Sequence, residues 1–103
     1  EWRSRFPEAL ETIAAAFLST SVAGYAGSCE ALAGIDLREA LPGIVARTLV
    51  VSGAFDVSTP PRAGRALAES IPNAEFVLFN AAHLGPIELP QTFHAALDGF
   101  LRA

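Results

Sequence analysis

The 103-residue sequence contains one cysteine, no methionine and no lysine. A single cysteine excludes an internal disulfide, and neither a CxxC motif nor a Cys/His cluster supplies the ligands of a zinc site. We therefore expect no structural metal and no redox relay. Because a complete translated chain normally starts with methionine, we also expect these residues to be a piece of a longer protein.

Positive charge is scarce as well. Seven arginines stand against eleven acidic residues, which gives a formal net charge of −4, so the long-range field repels phosphate backbones and anionic membranes. No apolar run approaches the roughly 20 residues that span a bilayer, and residues 1 to 5 lack the apolar core of a signal peptide. Neither nucleic acid nor a membrane is an expected partner, and the expected location is cytoplasmic.

Apolar side chains make up 51% of the sequence, and in the first third they recur at helical spacing. This period predicts one helix over residues 7 to 18, with Pro7 in its first turn, and a second that Thr20 or Ser21 caps and Gly34 ends. So short a link favours a helical hairpin. Asp36 is predicted to cap a short turn that stops at Pro42-Gly43.

The pattern changes at residue 48. Residues 48 to 52 form a continuous β-branched run, which is typical of a strand covered on both faces in a parallel sheet. A helix starting at Ser58 or Thr59 and a second apolar strand over residues 75 to 79 complete a βαβ unit. A loop over residues 80 to 90 and a helix over residues 91 to 102 follow, with Phe93, Leu97, Phe100 and Leu101 facing inward.

One titratable residue follows each predicted strand by four positions. These are Asp56 and His83. Because the carboxyl ends of neighbouring parallel strands meet at one edge of a sheet, the two loops emerge side by side and the carboxylate can accept a hydrogen bond from imidazole Nδ1. Either residue alone is most simply a loop residue. The matched placement of both predicts two thirds of a hydrolytic triad.

The sequence contains no GxSxG nucleophile elbow. The nearest imitation is Gly27-Ser28-Cys29-Glu30-Ala31, but an elbow needs a buried strand before it, whereas these residues continue a helical pattern. Cys29 lies on the apolar stripe of that helix, where a thiol is most simply a small core residue. The nucleophile is therefore expected to lie outside these 103 residues.

Several short motifs between residues 48 and 90 occur together in one known family. They are Thr48-Leu49-Val50-Val51-Ser52-Gly53, Asp56, Thr59-Pro60-Pro61, Ile71-Pro72-Asn73-Ala74, Ala82-His83-Leu84 and Ile87-Glu88-Leu89-Pro90. In this order they resemble the C-terminal end of an α/β-hydrolase, over residues 44 to 103. Residues 24 to 38 are similar to the 3-oxoadipate enol-lactonases, in which a helical cap precedes the strand that bears the triad aspartate.

The resemblance implies an α/β fold. Residues 1 to 34 would be the closing helices of the cap, a helical hairpin, and residues 35 to 103 the C-terminal part of the hydrolase core, a parallel βαβ unit with a C-terminal helix. It assigns Asp56 as the triad acid and His83 as the triad base, with the serine in an absent N-terminal segment. Two departures stand out: Arg47 replaces a proline usual before the strand, and Gly85-Pro86 replaces a polar pair usual after the histidine.

The implied reaction is hydrolysis of a small enol-lactone, in the breakdown of aromatic compounds, with no cofactor and no metal. The partners would be a lactone or ester substrate and the N-terminal remainder of the fold, and the 103 residues alone would be inactive. Phe55 and Leu84 flank the two site residues and are candidates for a substrate-binding wall, although packing also explains them. Glu88 would pair with an arginine near the site or face solvent.

Two alternatives remain at the level of sequence. The same aspartate and histidine would serve another cap-bearing hydrolase, such as an esterase, perhydrolase or dehalogenase, and the identity of the nucleophile would discriminate these. A non-catalytic interaction module is the other alternative, since the unpaired N–H and C=O groups at the exposed edge of the first strand could pair with another chain.

Overall fold

The computed structural model describes residues 6–103, which form two compact units that meet in sequence between Asp36 and Leu37. The assignment of these units to a cap and a core stays a prediction. Trp2, the expected first residue of the cap helices, lies outside the described residues.

The first unit consists of two helices, α1 (Pro7–Ser19) and α2 (Val22–Gly34). Pro7 occupies the first turn of α1, where its missing N–H costs no hydrogen bond. At the start of α2 the Ser21 hydroxyl accepts a hydrogen bond from the Gly24 amide at 3.0 Å, so the predicted N-cap is confirmed.

The chain bends by 91° between the two helices. The pair therefore forms a right-angled corner and not the antiparallel hairpin that the short link suggested. Thr20 and Ser21, the two linking residues, are both extended. Inside the corner, the rings of Phe17 and Tyr25 meet edge to face at 5.8 Å.

Neither of these helices contains a buried residue. Leu18 and Val22 are 81% and 87% exposed. Among the described residues no single helix is long and apolar enough to cross a bilayer, and the bent pair α1 and α2 meets the length and composition criteria only when both helices are counted together.

The second unit contains the βαβ arrangement that the sequence predicts. Its elements in chain order are a 3-10 helix (Arg38–Gly43), β1 (Thr48–Gly53), α3 (Pro61–Ser70), β2 (Ala74–Phe79), the one-turn helix α4 (Gly85–Glu88) and α5 (Pro90–Arg102). The strands are parallel and directly adjacent, in a register that pairs Thr48 with Ala74 and Gly53 with Phe79. Both strands therefore end at the same level.

Helix α3 packs against both strands, and its closest approach to the sheet is at Gly64. A Cβ atom at this position would lie 2.0 Å from the Ser52 Oγ and 3.1 Å from the Phe76 ring. Only a residue without a side chain permits this approach. The buried apolar side chains around the sheet are Val50, Ile71, Phe79 and Ala81.

Several local predictions differ from the structure. Pro60, and not Ser58 or Thr59, is the residue that precedes α3, and its position has no side-chain cap. Leu37, and not Asp36, occupies the cap position of the 3-10 helix, which includes Pro42 instead of stopping before it. The predicted loop over residues 80 to 90 contains the one-turn helix α4.

The inward face predicted for α5 is only partly correct. Phe93 and Phe100 are half-buried, but Leu97 and Leu101 are 37% and 68% exposed. A two-stranded sheet is too narrow to cover a full apolar stripe of a three-turn helix, so only part of that stripe is packed.

Substitution of Gly64 by alanine is expected to lower the free energy of unfolding by about 1–3 kcal/mol, because the new methyl group collides with the Ser52 hydroxyl. The double variant Gly64→Ala/Ser52→Ala should recover most of this loss, since it removes the colliding oxygen. Urea unfolding measures both.

Gly99→Ala in α5 is the matched control, because nothing lies within 4 Å of a Cβ there; it should be neutral or slightly stabilising through helix propensity. A Gly64→Ala protein as stable as the Gly99→Ala protein would contradict the packing described for α3.

Candidate functional site

Asp56 lies in the tight turn that follows β1. Its amide donates to the Gly53 carbonyl at 3.2 Å, and the residue is only 7% exposed. The carboxylate accepts four hydrogen bonds. Oδ1 accepts from the Ser58 and Thr59 amides at 2.9 and 3.0 Å, and Oδ2 accepts from the Thr59 hydroxyl at 2.7 Å and contacts His83 Nδ1 at 2.8 Å.

These hydrogen bonds hold the pKa of Asp56 far below its usual range. The Thr59 amide contributes most, followed by the Thr59 hydroxyl and His83, and together they outweigh the opposing effect of burial. Asp56 is therefore ionised at neutral pH, and an ionised carboxylate is only an acceptor.

His83 follows β2 and meets Asp56 through one ring nitrogen. Because the carboxylate oxygen can only accept, Nδ1 carries the proton of this 2.8 Å hydrogen bond, and Nε2 of the neutral ring is the free acceptor. The His83 side chain is 58% exposed, and within residues 6–103 no group bonds Nε2. The two residues that the strand spacing predicted to meet are thus in contact, with the basic nitrogen directed away from the carboxylate.

The two loops come together because Gly53 has no side chain. A Cβ at position 53 would lie 2.1 Å from the Ala82 carbonyl oxygen and 2.6 Å from that of Ala81. Beyond the strands, the Ala54 amide donates to the Phe79 carbonyl at 2.8 Å and the Phe55 amide to that of Ala81 at 3.0 Å. This continued pairing fixes the loop that carries Asp56 against the loop that carries His83.

Glu88 makes contacts that the sequence analysis missed. Its Oε2 accepts from the Ala82 amide at 2.9 Å and its Oε1 from the Leu84 amide at 3.1 Å. Neither expectation for this residue was correct: it is half-buried, and within residues 6–103 it forms no ion pair with an arginine. The one available signal was a glutamate one turn after Leu84, from where its side chain can reach back to the amides that precede the turn.

A cleft of about 210 Å³ opens beside Asp56 and His83. Its lining residues are Val51, Ser52, Gly53, Asp56, Thr59, Phe79, Ala82, His83, Gly85, Pro86 and Phe93. Phe55 and Leu84, the predicted substrate-wall residues, are 64% and 38% exposed but are not among those lining residues. Their role at a substrate stays a prediction.

Other candidate groups lie elsewhere or are absent from the described part of the chain. Cys29 is in the middle of α2, not on a strand-to-helix turn, and it is exposed, so its expected place in a core was wrong. Among residues 6–103, no three histidine, cysteine or acidic side chains are grouped to hold a metal ion.

The depressed pKa of Asp56 predicts a specific acid sensitivity. The stabilisation is present above the ordinary carboxyl value of 3.8 and is lost as the pH falls through the lower folded-state pKa. Thr59→Val removes the hydroxyl donor and should make the free energy of unfolding less dependent on pH below 4, whereas Thr59→Ser should preserve the wild-type dependence. Urea unfolding at a series of acidic pH values measures this, and equal slopes for Thr59→Val and wild type would refute the assigned cause.

Comparisons with known proteins concern the sequence and the fold of the chain as a whole. No family model matches the chain. The chain is 34% identical over 96 residues to 3-oxoadipate enol-lactonase 2 of Acinetobacter baylyi, an alignment that covers 93% of the chain and 36% of the relative.

Solved structures give the same result. The enol-lactonase of Burkholderia xenovorans LB400 superposes with a TM-score of 0.95 at 37% identity, over 99% of this chain and 39% of that protein. A hydrolase of Pseudomonas aeruginosa PA01 superposes with a TM-score of 0.88 at 39% identity, over 92% of this chain and 36% of that protein.

The 103 residues thus span little more than a third of each of these relatives. The likeness extends over nearly the whole chain in both sequence and structure, and it includes the parallel strand pair that carries Asp56 and His83. The chain belongs to the α/β-hydrolases, as a C-terminal part of that fold that resembles the 3-oxoadipate enol-lactonases.

Proposed function

We propose that the chain contributes the acid and the base of a Ser-His-Asp triad that hydrolyses a small enol-lactone to 3-oxoadipate. The observation that carries this proposal is the 2.8 Å hydrogen bond between His83 Nδ1 and the buried Asp56 carboxylate. Similarity to enol-lactonases over 93% and 99% of the chain supports the substrate class. The nucleophilic serine and the oxyanion-hole amides come from a segment outside these 103 residues.

In the first half of the reaction, His83 Nε2 takes the proton of the serine hydroxyl as the serine oxygen attacks the lactone carbonyl. Asp56 holds the ring in the tautomer that leaves Nε2 basic, and its negative charge stabilises the imidazolium that forms. Collapse of the tetrahedral intermediate breaks the ring C–O bond, and His83 returns the proton to the leaving enolate oxygen.

In the second half, His83 takes a proton from water, and the resulting hydroxide attacks the acyl-serine carbonyl. The serine oxygen then leaves and recovers the proton from His83, which restores the resting state. The exposure of the His83 side chain fits both halves, because Nε2 must meet first a serine and then a water molecule.

Phe55 and Leu84 complete the proposal as apolar contacts for the substrate. Each directly adjoins a site residue in sequence, and Phe55 retains 64% of its surface for contact with a ligand or with the remainder of the fold. Residues 1 to 34, which include α1 and α2, act in this proposal as the end of a cap.

The proposal predicts that the 103 residues alone have no lactonase activity above background, whereas activity appears when they replace the matching segment of the Burkholderia xenovorans enol-lactonase. In this chimera, Asp56→Asn should lower kcat by about 10⁴-fold, because the imidazole loses the partner that sets its tautomer. His83→Ala should abolish turnover. Loss of enol-lactone absorbance measures the rate.

His94→Ala is the control, since His94 is exposed on α5 and is not one of the residues that line the cleft. If the folded chimera keeps its rate of lactone hydrolysis after His83→Ala, the triad assignment is wrong. A folded chimera that prefers simple aryl esters to the lactone would indicate an esterase instead, and a folded but inactive one would favour the non-catalytic interaction module.

A further inference from the structure

We propose that Glu88 is a positioning residue for His83, acting through the backbone on both sides of the histidine. This inference rests on the proposed function, because it concerns the presentation of the same base. The two Glu88 carboxylate oxygens accept hydrogen bonds from the amides of Ala82 and Leu84, at 2.9 and 3.1 Å. His83 is the single residue between these two donors.

Within residues 6–103, packing covers less than half of the His83 side chain. The side chain is 58% exposed, and its one hydrogen bond within residues 6–103 is to Asp56. The direction of the ring therefore depends on where the backbone at position 83 is fixed. The carbonyls of Ala81 and Ala82 lie against Gly53 and Phe55. The amides of Ala82 and Leu84, one on each side of the histidine, are restrained by Glu88.

The loop needs such a restraint because α4 is only four residues long, and so short a helix has little stability of its own. Its hydrogen bonds return to the residue after His83: the Ile87 and Glu88 amides donate to the Leu84 carbonyl at 2.8 and 2.9 Å. Leu84 and Glu88 are thus joined twice, once through the backbone and once through the carboxylate.

Gly85-Pro86 starts the turn that carries Glu88. Gly85 is buried, and a Cβ there would lie at ordinary van der Waals distance from the Ala81 methyl and the Phe79 ring, at 3.9 and 4.0 Å. Pro86 starts the helical turn without adding an unpaired amide. The turn brings the Glu88 side chain back to the amides of Ala82 and Leu84. Neither Gly85 nor Pro86 contributes a polar side chain to this arrangement.

Glu88→Gln tests the inference in the chimera with the Burkholderia xenovorans enol-lactonase. The glutamine amide group has nearly the same volume but one acceptor oxygen, so it can satisfy one of the two amides and presents a donor to the other. We expect kcat to fall about 10- to 100-fold while KM changes less than about 3-fold, because the base is misplaced while the substrate contacts remain.

A second measurement reports on position and not on folding. In the Glu88→Gln chimera, amide hydrogen exchange at Ala82 and Leu84 should accelerate, and the deshielded Nδ1 proton of the His83–Asp56 hydrogen bond should broaden or disappear. Glu75→Gln is the matched control, because Glu75 is an exposed glutamate paired with Arg47 at 3.6 Å; it should leave kcat, exchange and the proton signal unchanged.

If Glu88→Gln does not fold, Glu88→Asp is the second variant, which keeps the charge but is one methylene too short to reach both amides. A folded Glu88→Asp protein with reduced kcat and unchanged KM supports the inference, and one with wild-type kcat overturns it. If His83→Ala is inactive but Glu88→Gln keeps the wild-type kcat, the role of Glu88 is refuted and the triad proposal stands. Full activity of His83→Ala refutes the triad itself.

Discussion

The contact between two loop backbones at Gly53 is the constraint on which the site depends. Since a side chain at this position would overlap the carbonyls of Ala81 and Ala82, the loops after β1 and β2 can approach closely only because glycine ends β1. The pairing of the strands in register brings both loops to the same level. Asp56 and His83 lie on these neighbouring loops, close enough for one hydrogen bond to join their side chains.

The Asp56–His83 pair is rigid at one end and accessible at the other. Asp56 has every acceptor position occupied, three of them by Ser58 and Thr59, its own near neighbours in sequence. The carboxylate is thus oriented before the histidine reaches it, so little freedom is lost when the pair forms. His83 retains an exposed ring with one free nitrogen. This asymmetry is what a base requires, because it must be aimed by one partner and still meet another.

The sequence predicted the parts of this structure that depend on periodicity and chain order. The continuous apolar runs gave the parallel strands, and the spacing of Asp56 and His83 after them gave their contact. The corner between α1 and α2 was missed because it depends on how the two linking residues are oriented, which periodicity does not encode. Glu88 was missed because its partners are backbone amides, which every residue has, and only the turn at Gly85-Pro86 determines which of them lie within reach.

All the groups that set the geometry of the pair lie in one continuous stretch, from the start of β1 at Thr48 to Glu88 at the end of α4. Among the described residues, the hydrogen bonds that join these groups to one another all lie inside that stretch. Genetic recombination with a breakpoint upstream of residue 48 would therefore transfer Asp56, His83 and their supports as a single inherited block. New combinations of this block with other preceding segments can arise in this way without realignment of the Asp56–His83 hydrogen bond.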